Sequence, residues 1–320
     1  MNILQAKETI IRAGKELIEI GFLSRTFGNI SCRINSNHSD YPDGSFAITP
    51  SGKNYLKISA DEIVEMSLTD YSHDKDARPS MEYRLHGEVY RMHPDANFVI
   101  YTTQTNASAV SAMGLNVIKL DKEYPGIGDF IICGEYGMSG SLRLYGHVAK
   151  ALKESAGNAI LMKNHGALIF GSSYEEALDT SKNLEEACAV YLRGIGVEPQ
   201  GSGQCVPDKW NTNANLEKYM SVRETLPAYV EDFAQVFGPE IKILDSCTEK
   251  QYEDAVSRGQ SLLVRGRGFL CSGDDCGVKA RLIEKNTIAA LAAIGVKPLD
   301  PLVSRLLNKK YMFMYSKLTQ

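Results

Sequence analysis

Four short stretches in the first half of the chain bring together residue types that can bind an anion or move a proton. Glycine lets backbone N–H groups approach a ligand closely and serine adds a hydroxyl donor, whereas glutamate can act as a base and histidine can hold a metal. Each stretch alone is ordinary turn chemistry. In chain order they are residues 26–31 (TFGNIS), 49–52 (TPSG), 79–86 (PSMEYRLH) and 163–166 (KNHG).

The order and spacing of these stretches resemble the class II aldolase and adducin family over residues 1 to about 200. The resemblance implies a three-layer, mixed α/β domain with a central, mainly antiparallel sheet. It also implies that the first three loops bind the phosphate of a small phosphorylated sugar or hydroxy-ketone. The residues that match this role are Gly28, Asn29, Ser51, Gly52 and Ser80. Met81 departs from the pattern, because a second small hydroxyl residue is usual there.

Metal binding in this family uses three histidines around a divalent cation, usually zinc, which acts as a Lewis acid on the enediolate. His165 matches the ligand from the Asn-His-Gly turn. The two ligands of the His-x-His pair fall on Tyr101 and Thr103, neither of which is a usual zinc ligand. We therefore leave the cofactor unknown and do not expect the familiar zinc site. The alternative role for His165 is a turn histidine bonded to a carbonyl.

Two further residues match catalytic groups of the family. Glu82 stands where these aldolases keep a metal ligand or general base, and Tyr136 aligns with a tyrosine that protonates the aldehyde from a neighbouring subunit. Without a metal, the enediolate oxygen needs another electrophile, for which Tyr101 and Lys163 are candidates. Lys163 could also form a Schiff base, although a charged residue at a strand end is the simpler interpretation. His86, one helical turn after Glu82, is expected to be a packing residue.

Three functions stay open at this point. The first is a lyase that cleaves a small sugar phosphate by a retro-aldol reaction, with Glu82 as base and Tyr136 as acid. The second is a metal-free binding or assembly protein of the adducin-like type, favoured by the replaced histidines and by Met81. The third is a sugar-phosphate 4-epimerase, which needs the same metal and whose pattern resembles this chain less well at Glu82. Whether the protein is an enzyme is left open.

The pattern of apolar residues predicts a layered domain in which strands and helices alternate irregularly, with hairpins mixed in. Predicted helices cover residues 3–18, 80–90, 107–113, 142–155 and 174–192. Predicted strands cover residues 29–34, 45–49, 98–101, 159–163 and 167–170.

A stretch rich in glycine, proline and asparagine at residues 194–215 predicts a linker. It divides the chain into a class II aldolase-like domain (1–204) and a smaller α/β C-terminal domain (205–320). Residues 261–270 can be laid on 159–168 without a gap, and both segments run on into a long helix. The C-terminal domain is therefore interpreted as a possible degenerate repeat of the second half of the first domain, with Arg267 in place of His165.

Composition narrows the range of partners. The net charge is only −4 and the chain has no long run of lysine or arginine, so we expect neither nucleic-acid nor membrane binding. No apolar stretch is long enough to span a bilayer. The seven cysteines are scattered without metal-ligand spacing, which favours reduced thiols and a cytoplasmic location. By resemblance to the family, we expect a homo-oligomer.

Overall fold

The computed structural model describes residues 1–24, 26–35, 41, 43–199 and 205–314. The helices are α1 (Ile3–Glu19), α2 (Tyr83–Met92), α3 (Thr105–Ser111), α4 (Leu142–Glu154), α5 (Tyr174–Gly194), α6 (Ala214–Met220), α7 (Glu231–Phe237), α8 (Glu249–Ser257), α9 (Cys276–Ala292) and α10 (Pro301–Met314), with a 3-10 turn at Ala60–Glu62. The strands are β1 (Asn29–Ile34), β2 (Ser45–Ile48), β3 (Val64–Ser67), β4 (Phe98–Thr102), β5 (Val117–Tyr124), β6 (Gly128–Gly134), β7 (Ala159–Met162), β8 (Gly166–Gly171), β9 (Trp210–Asn211), β10 (Thr225–Pro227), β11 (Glu240–Leu244), β12 (Ser261–Val264) and β13 (Gly268–Cys271).

The larger sheet is built around the two predicted hairpins, β1–β2 and β7–β8. Among the described residues, eight strands form it in the order β3-β2-β1-β4-β8-β7-β6-β5. Every neighbouring pair is antiparallel except β6 with β7, which is parallel. The prediction of a central, mainly antiparallel sheet is therefore confirmed, although the sequence analysis missed β3, β5 and β6.

Helices cover both faces of this sheet, because side chains that alternate along a strand point to opposite faces. On β7, Ile160 and Met162 pack with α2 and α4, whereas Ala159 and Leu161 pack with α3 and α5. Helix α1 covers β1 and β2 on the same side as α5 and begins with a capping box, in which Asn2 bonds to the backbone of Gln5. The three-layer, mixed α/β fold is thus confirmed.

The smaller sheet repeats the strand order of half of the larger one. Its order is β10-β11-β12-β13-β9, which matches β5-β6-β7-β8-β4. Within it, β11 runs parallel to β12, as β6 does to β7. The hairpins also share a register, since Val264 pairs with Gly268 as Met162 pairs with Gly166. This correspondence supports a degenerate repeat in the C-terminal region, which we put forward as a proposal.

The two sheets share a continuous core. One cluster of buried apolar side chains contains Leu161 and Leu184 from the larger sheet's layers together with Leu216 and Leu263 from the C-terminal region. The predicted linker at 194–215 is wrong in part, because β9 and the start of α6 lie within it; its residues 200–204 lie outside the described ranges. Its polar residues serve as caps and edge-strand groups, as when Asn213 caps α6. No helix in the described ranges is long and apolar enough to cross a membrane.

Candidate active site

The four sequence stretches meet in one cavity at the end of the larger sheet. The cavity is bounded by loops before β1, after β2 and before α2, by the end of β4, by the β7–β8 turn, and by α7 and α10 from the C-terminal region. Its lining residues are Thr26, Phe27, Gly28, Asn29, Pro50, Ser51, Gly52, Ser80, Met81, Glu82, Tyr101, Thr103, Ser139, His165, Glu231, Asp232, Gln235 and Tyr311. All five residues predicted to bind phosphate are therefore brought together, as are Glu82 and His165.

Backbone geometry explains the glycine in the first loop. Gly28 has a φ of +83°, and a Cβ atom there would lie 2.4 Å from the carbonyl oxygen of Tyr101. Only glycine fits this close approach without strain. The second and third loops are held to each other, since the N–H of Ser80 donates to the carbonyl of Thr49 at 3.0 Å and that of Ser51 to Arg78 at 2.9 Å.

Glu82 lies at the N-terminus of α2, where its carboxylate turns into the cavity. Its side chain is buried, and Oε1 accepts a 3.0 Å hydrogen bond from the N–H of Gly140. Burial raises the pKa of Glu82 to about 7; His165 opposes this rise and Glu231 adds to it. A carboxyl group with this pKa can both take up and release a proton near neutral pH.

His165 projects from the tight turn between β7 and β8, where Asn164 has a φ of +66°. Its Nε2 donates to the carbonyl of Gly137 at 2.7 Å, and its Nδ1 lies 3.5 Å from Oε2 of Glu231. The imidazole also stacks on Tyr136 with ring centroids 5.5 Å apart. The bond to a carbonyl is the alternative role considered from the sequence.

Glu231 is the principal residue of the cavity that the sequence analysis missed. It is 2% exposed, at the start of α7. Its Oε1 accepts a 2.7 Å hydrogen bond from the hydroxyl of Tyr136, and its Oε2 accepts one of 2.6 Å from the hydroxyl of Ser139. Its own N–H donates to the carbonyl of Asn164 at 2.8 Å. Tyr136 is not among the described residues that line the cavity. Its hydroxyl is bonded to the carboxylate of Glu231.

A buried ion pair stands next to Glu231. Lys285 of α9 pairs with Asp232, and its Nζ also donates to the carbonyl oxygen of Thr103 at 2.9 Å. Both charged side chains are almost fully buried. The pair therefore ties the C-terminal helices to the end of β4, where the sequence aligns Tyr101 and Thr103 with metal ligands of the family.

The hydroxyls at those two positions differ in their surroundings. Thr103 Oγ1 is buried and has no hydrogen-bond partner within the described ranges. Burial, together with the carboxylates of Glu82, Glu231 and Asp232, raises the pKa of Tyr101 well above its usual value. Tyr101 therefore keeps its proton and can act as a donor.

The donors of this cavity do not fit a zinc ion held by three histidines. His165 is the one histidine among the described lining residues, and its Nε2 is already bonded to a carbonyl. Within the ranges that the structure covers, no group of three or more His, Cys, Asp or Glu side chains is arranged to hold a metal. We therefore derive no chemical step through zinc.

Lys163 does not reach the cavity, so its candidacy as an electrophile or Schiff-base lysine is not supported. Its Nζ is 3.2 Å from Oε2 of Glu135, with which it forms an ion pair outside the described lining. It precedes the turn that carries His165, but Lys163 itself is not among the described lining residues. The simpler interpretation, a charged residue at a strand end, fits this geometry.

The fold and the cavity define the class of protein. The model of the Class II Aldolase and Adducin N-terminal domain matches residues 8–192, so the chain belongs to the class II aldolase and adducin family. This family match covers the larger sheet and leaves the C-terminal region outside.

Individual relatives include sugar-phosphate aldolases. The L-fuculose phosphate aldolase of Haemophilus influenzae is 30% identical over 201 residues, which cover 60% of this chain and 85% of that protein. The 5-methylthioribulose-1-phosphate/5-deoxyribulose-1-phosphate aldolase of Escherichia coli O45:K1 is 29% identical over 199 residues, covering 62% and 88%. A solved L-fuculose 1-phosphate aldolase superposes with a TM-score of 0.54 at 25% identity, covering 64% of this chain and 91% of the other.

Proposed function

We propose that the cavity binds a small sugar phosphate and catalyses its reversible aldol cleavage with side chains of this chain in place of the zinc of its family. The observation that carries the proposal is the meeting of Glu82, with its pKa of about 7, and the hydroxyls of Tyr101 and Thr103 in one cavity. This combination provides a base for the carbon and donors for the oxygen that becomes negative.

The phosphate group is assigned to the end of the cavity formed by the first three loops. Gly28 and Gly52 allow backbone N–H groups to approach an anion, and Ser51, Ser80 and Asn29 add side-chain donors. The carboxylate of Glu231 repels a phosphate from the other end, which fixes the direction in which a substrate enters.

Proton transfer is assigned to two carboxylates. In cleavage, the hydroxyl proton of the substrate moves to Glu231, the carbon–carbon bond breaks to leave an aldehyde, and the electron pair passes to the ketone oxygen as an enediolate. Protonated Glu82 then returns a proton to the carbon. In condensation each transfer runs in reverse, which a group with a pKa of about 7 permits. Tyr136 acts through Glu231, to which its hydroxyl donates.

The negative enediolate oxygen is assigned to the donors at the end of β4. Tyr101 is held in its protonated form, and the hydroxyl of Thr103 has no competing partner within the described ranges. Neutral donors fixed in a buried site can stabilise a developing oxyanion without reorganising.

The test is turnover by protein that has been stripped of metals with a chelator. A panel of ketose 1-phosphates is incubated with the protein, and the aldehyde and hydroxy-ketone phosphate products are followed by NMR. We expect cleavage that Tyr101→Phe reduces and that added zinc does not restore. Turnover that strictly requires zinc would overturn the proposal.

A second candidate is a ligand-binding protein without turnover. It is favoured by the C-terminal helix α10, because Tyr311 stacks on Phe27 at 5.7 Å and Lys310 contacts the thioether of Met81 at 3.3 Å. These contacts place α10 against the end of the cavity to which the phosphate is assigned. Binding of inorganic phosphate with no turnover of any ketose phosphate would favour this candidate over the lyase.

A further inference from the structure

A line of buried polar side chains connects α2 to β1 directly behind the phosphate end of the cavity. The hydroxyls of Tyr90 and Ser31 lie 2.7 Å apart, and Ser31 Oγ is 2.6 Å from Nδ1 of His86. The Nε2 atom of His86 lies 2.5 Å from Oδ1 of Asn29, which lines the cavity. All four residues are at most 5% exposed. His86 is thus part of a hydrogen-bonded chain, and its expected role as a simple packing residue is incomplete.

Tyr90, at the start of this row of hydrogen bonds, determines which group donates in each bond. In the part of the molecule that the structure covers, the hydroxyl of Tyr90 has one hydrogen-bond partner, Ser31. A buried hydroxyl that did not donate to its single partner would leave its proton unsatisfied, which is costly. Tyr90 therefore donates to Ser31, Ser31 donates to Nδ1 of His86, and Nε2 of His86 carries the proton that reaches Asn29.

The charge of His86 agrees with this direction. The polar side chains that bond to it are those of Ser31 and Asn29, both neutral. Burial lowers the pKa of His86 to about 3, so the imidazole is neutral near pH 7. The guanidinium of Arg33 lies over the ring of Tyr90 at 4.8 Å and donates to backbone carbonyls rather than to His86. A neutral imidazole has one N–H. Because Nδ1 accepts from Ser31, this N–H is at Nε2.

We propose that His86 is a positioning residue whose Nε2–H holds the carboxamide oxygen of Asn29, so that the NH2 group of Asn29 faces the cavity as a donor to an anionic ligand group. The opposite direction would present the oxygen of Asn29 to the cavity, where it would repel a phosphate. This inference rests on the proposed phosphate-binding role of the cavity. It adds that His86 of α2, which contacts Asn29 on the side away from the cavity, makes Asn29 a donor to the ligand.

The experiment has two measurements, which are the tautomer of His86 and the affinity for inorganic phosphate. Nitrogen-15 NMR of the histidine side chains, with His86→Gln to assign the signal, reports which ring nitrogen carries the proton between pH 6 and 8. We expect the Nε2–H tautomer throughout. Binding of inorganic phosphate is measured by calorimetry for the wild type, His86→Leu and His86→Gln, with His147→Leu as the control at a histidine outside the cavity lining.

We expect His86→Leu to weaken phosphate binding about tenfold, since one oriented donor is lost, and His86→Gln to retain most of the affinity because its amide can donate to Asn29. The control should bind as the wild type does. An Nδ1–H tautomer would overturn the inference, as would unchanged binding by a folded His86→Leu protein. If His86→Leu does not fold, the tautomer of His86 measured in the wild type is sufficient to support or overturn the inference. Phosphate binding that depends on His86 without aldol turnover would reject the lyase and leave this inference standing.

Discussion

The hydroxyl of Tyr136 donates a 2.7 Å hydrogen bond to the carboxylate of Glu231, which joins the family domain to the C-terminal region at the wall of the cavity. Ser139 completes the contact by donating to the other oxygen of the same carboxylate. The residue that matches a family acid in sequence is therefore bonded to a group that the family match, ending at residue 192, does not include. The C-terminal region is thus part of the candidate site, and its removal would leave Tyr136 and Ser139 without their acceptor.

Glu82→Gln is expected to abolish carbon proton transfer and at the same time to stabilise the fold at high pH. The pKa of Glu82 is about 7 in the folded protein against its ordinary value of 4.5, so the folded state favours the protonated form. That contribution is fully present below pH 4.5 and is lost as the pH rises through 7. The variant lacks this loss, so urea unfolding at pH 8 should show it more stable than the wild type by about 1–3 kcal/mol. At pH 5 the advantage should be much smaller, because most of the wild-type loss occurs between pH 5 and 7; an equal difference at both pH values would contradict the burial of an ionisable carboxyl.

Glu231→Gln should lower the pKa of Glu82, because the negative charge of Glu231 contributes to its rise. The measurement is carbon-13 NMR titration of the glutamate carboxyl groups, which needs no substrate. Glu135→Gln is the matched control, since Glu135 pairs with Lys163 outside the described lining of the cavity. A Glu82 midpoint that is the same in the wild type and Glu231→Gln would mean that the two carboxylates do not share one site.

Lys285→Met should destabilise the protein by about 3–5 kcal/mol, since it leaves the buried carboxylate of Asp232 without a partner. Replacing both members, with Asp232→Leu added, should recover much of the loss. Lys150→Met breaks an exposed pair with Glu154 and should cost less than about 1 kcal/mol. Chemical denaturation of the four proteins compares these values. Similar small effects for Lys285→Met and Lys150→Met would show that the buried pair does not hold the C-terminal helices to β4.

Gly28→Ala should be more destabilising than Gly21→Ala, although the two glycines have nearly the same φ of +83° and +80°. At Gly21 nothing lies within 4 Å of a new Cβ, whereas at Gly28 the Cβ would meet the carbonyl oxygen of Tyr101 at 2.4 Å. Both variants share the backbone strain of a positive φ, so the difference between their losses of stability measures the steric clash at Gly28. We expect this difference to be about 1–3 kcal/mol. Thermal unfolding of the pair measures it; equal losses would count against the close packing of the first loop on β4.

The sequence predicts much of the larger sheet because its hairpins carry regular patterns. Strand β1 alternates apolar and polar residues, β2 is mostly apolar, and polar residues separate the two. Strands β7 and β8 flank a tight Asn-His-Gly turn. Strand β5 was missed because charged residues occupy half of it, with Lys119, Asp121 and Glu123 exposed. A strand at the edge of a sheet can carry such residues on its solvent side.

The candidate site was predicted only as far as the family motifs extend. The loops around Gly28, Ser51 and Ser80 and the positions of Glu82 and His165 were found through the resemblance of their short motifs to the family, which can be read from neighbouring residues in the sequence. Glu231 and Lys285 were missed, since their role depends on how the C-terminal region packs against the first domain. One signal was present: Lys285 stands in the largely apolar helix α9, where a buried lysine needs a partner.

The central claim is that Glu82 transfers a proton to and from the substrate carbon without zinc. The exchange of carbon-bound hydrogen tests this claim most directly, because it isolates that step and requires no knowledge of the aldehyde. Metal-stripped protein is incubated in deuterium oxide with a three-carbon hydroxy-ketone phosphate, and the loss of the proton beside the carbonyl is followed by NMR. Our account predicts exchange by the wild type, with a rate that rises as the pH passes through about 7, and none by Glu82→Gln. Absence of exchange by metal-free wild type, with exchange appearing only when zinc is added, would contradict it.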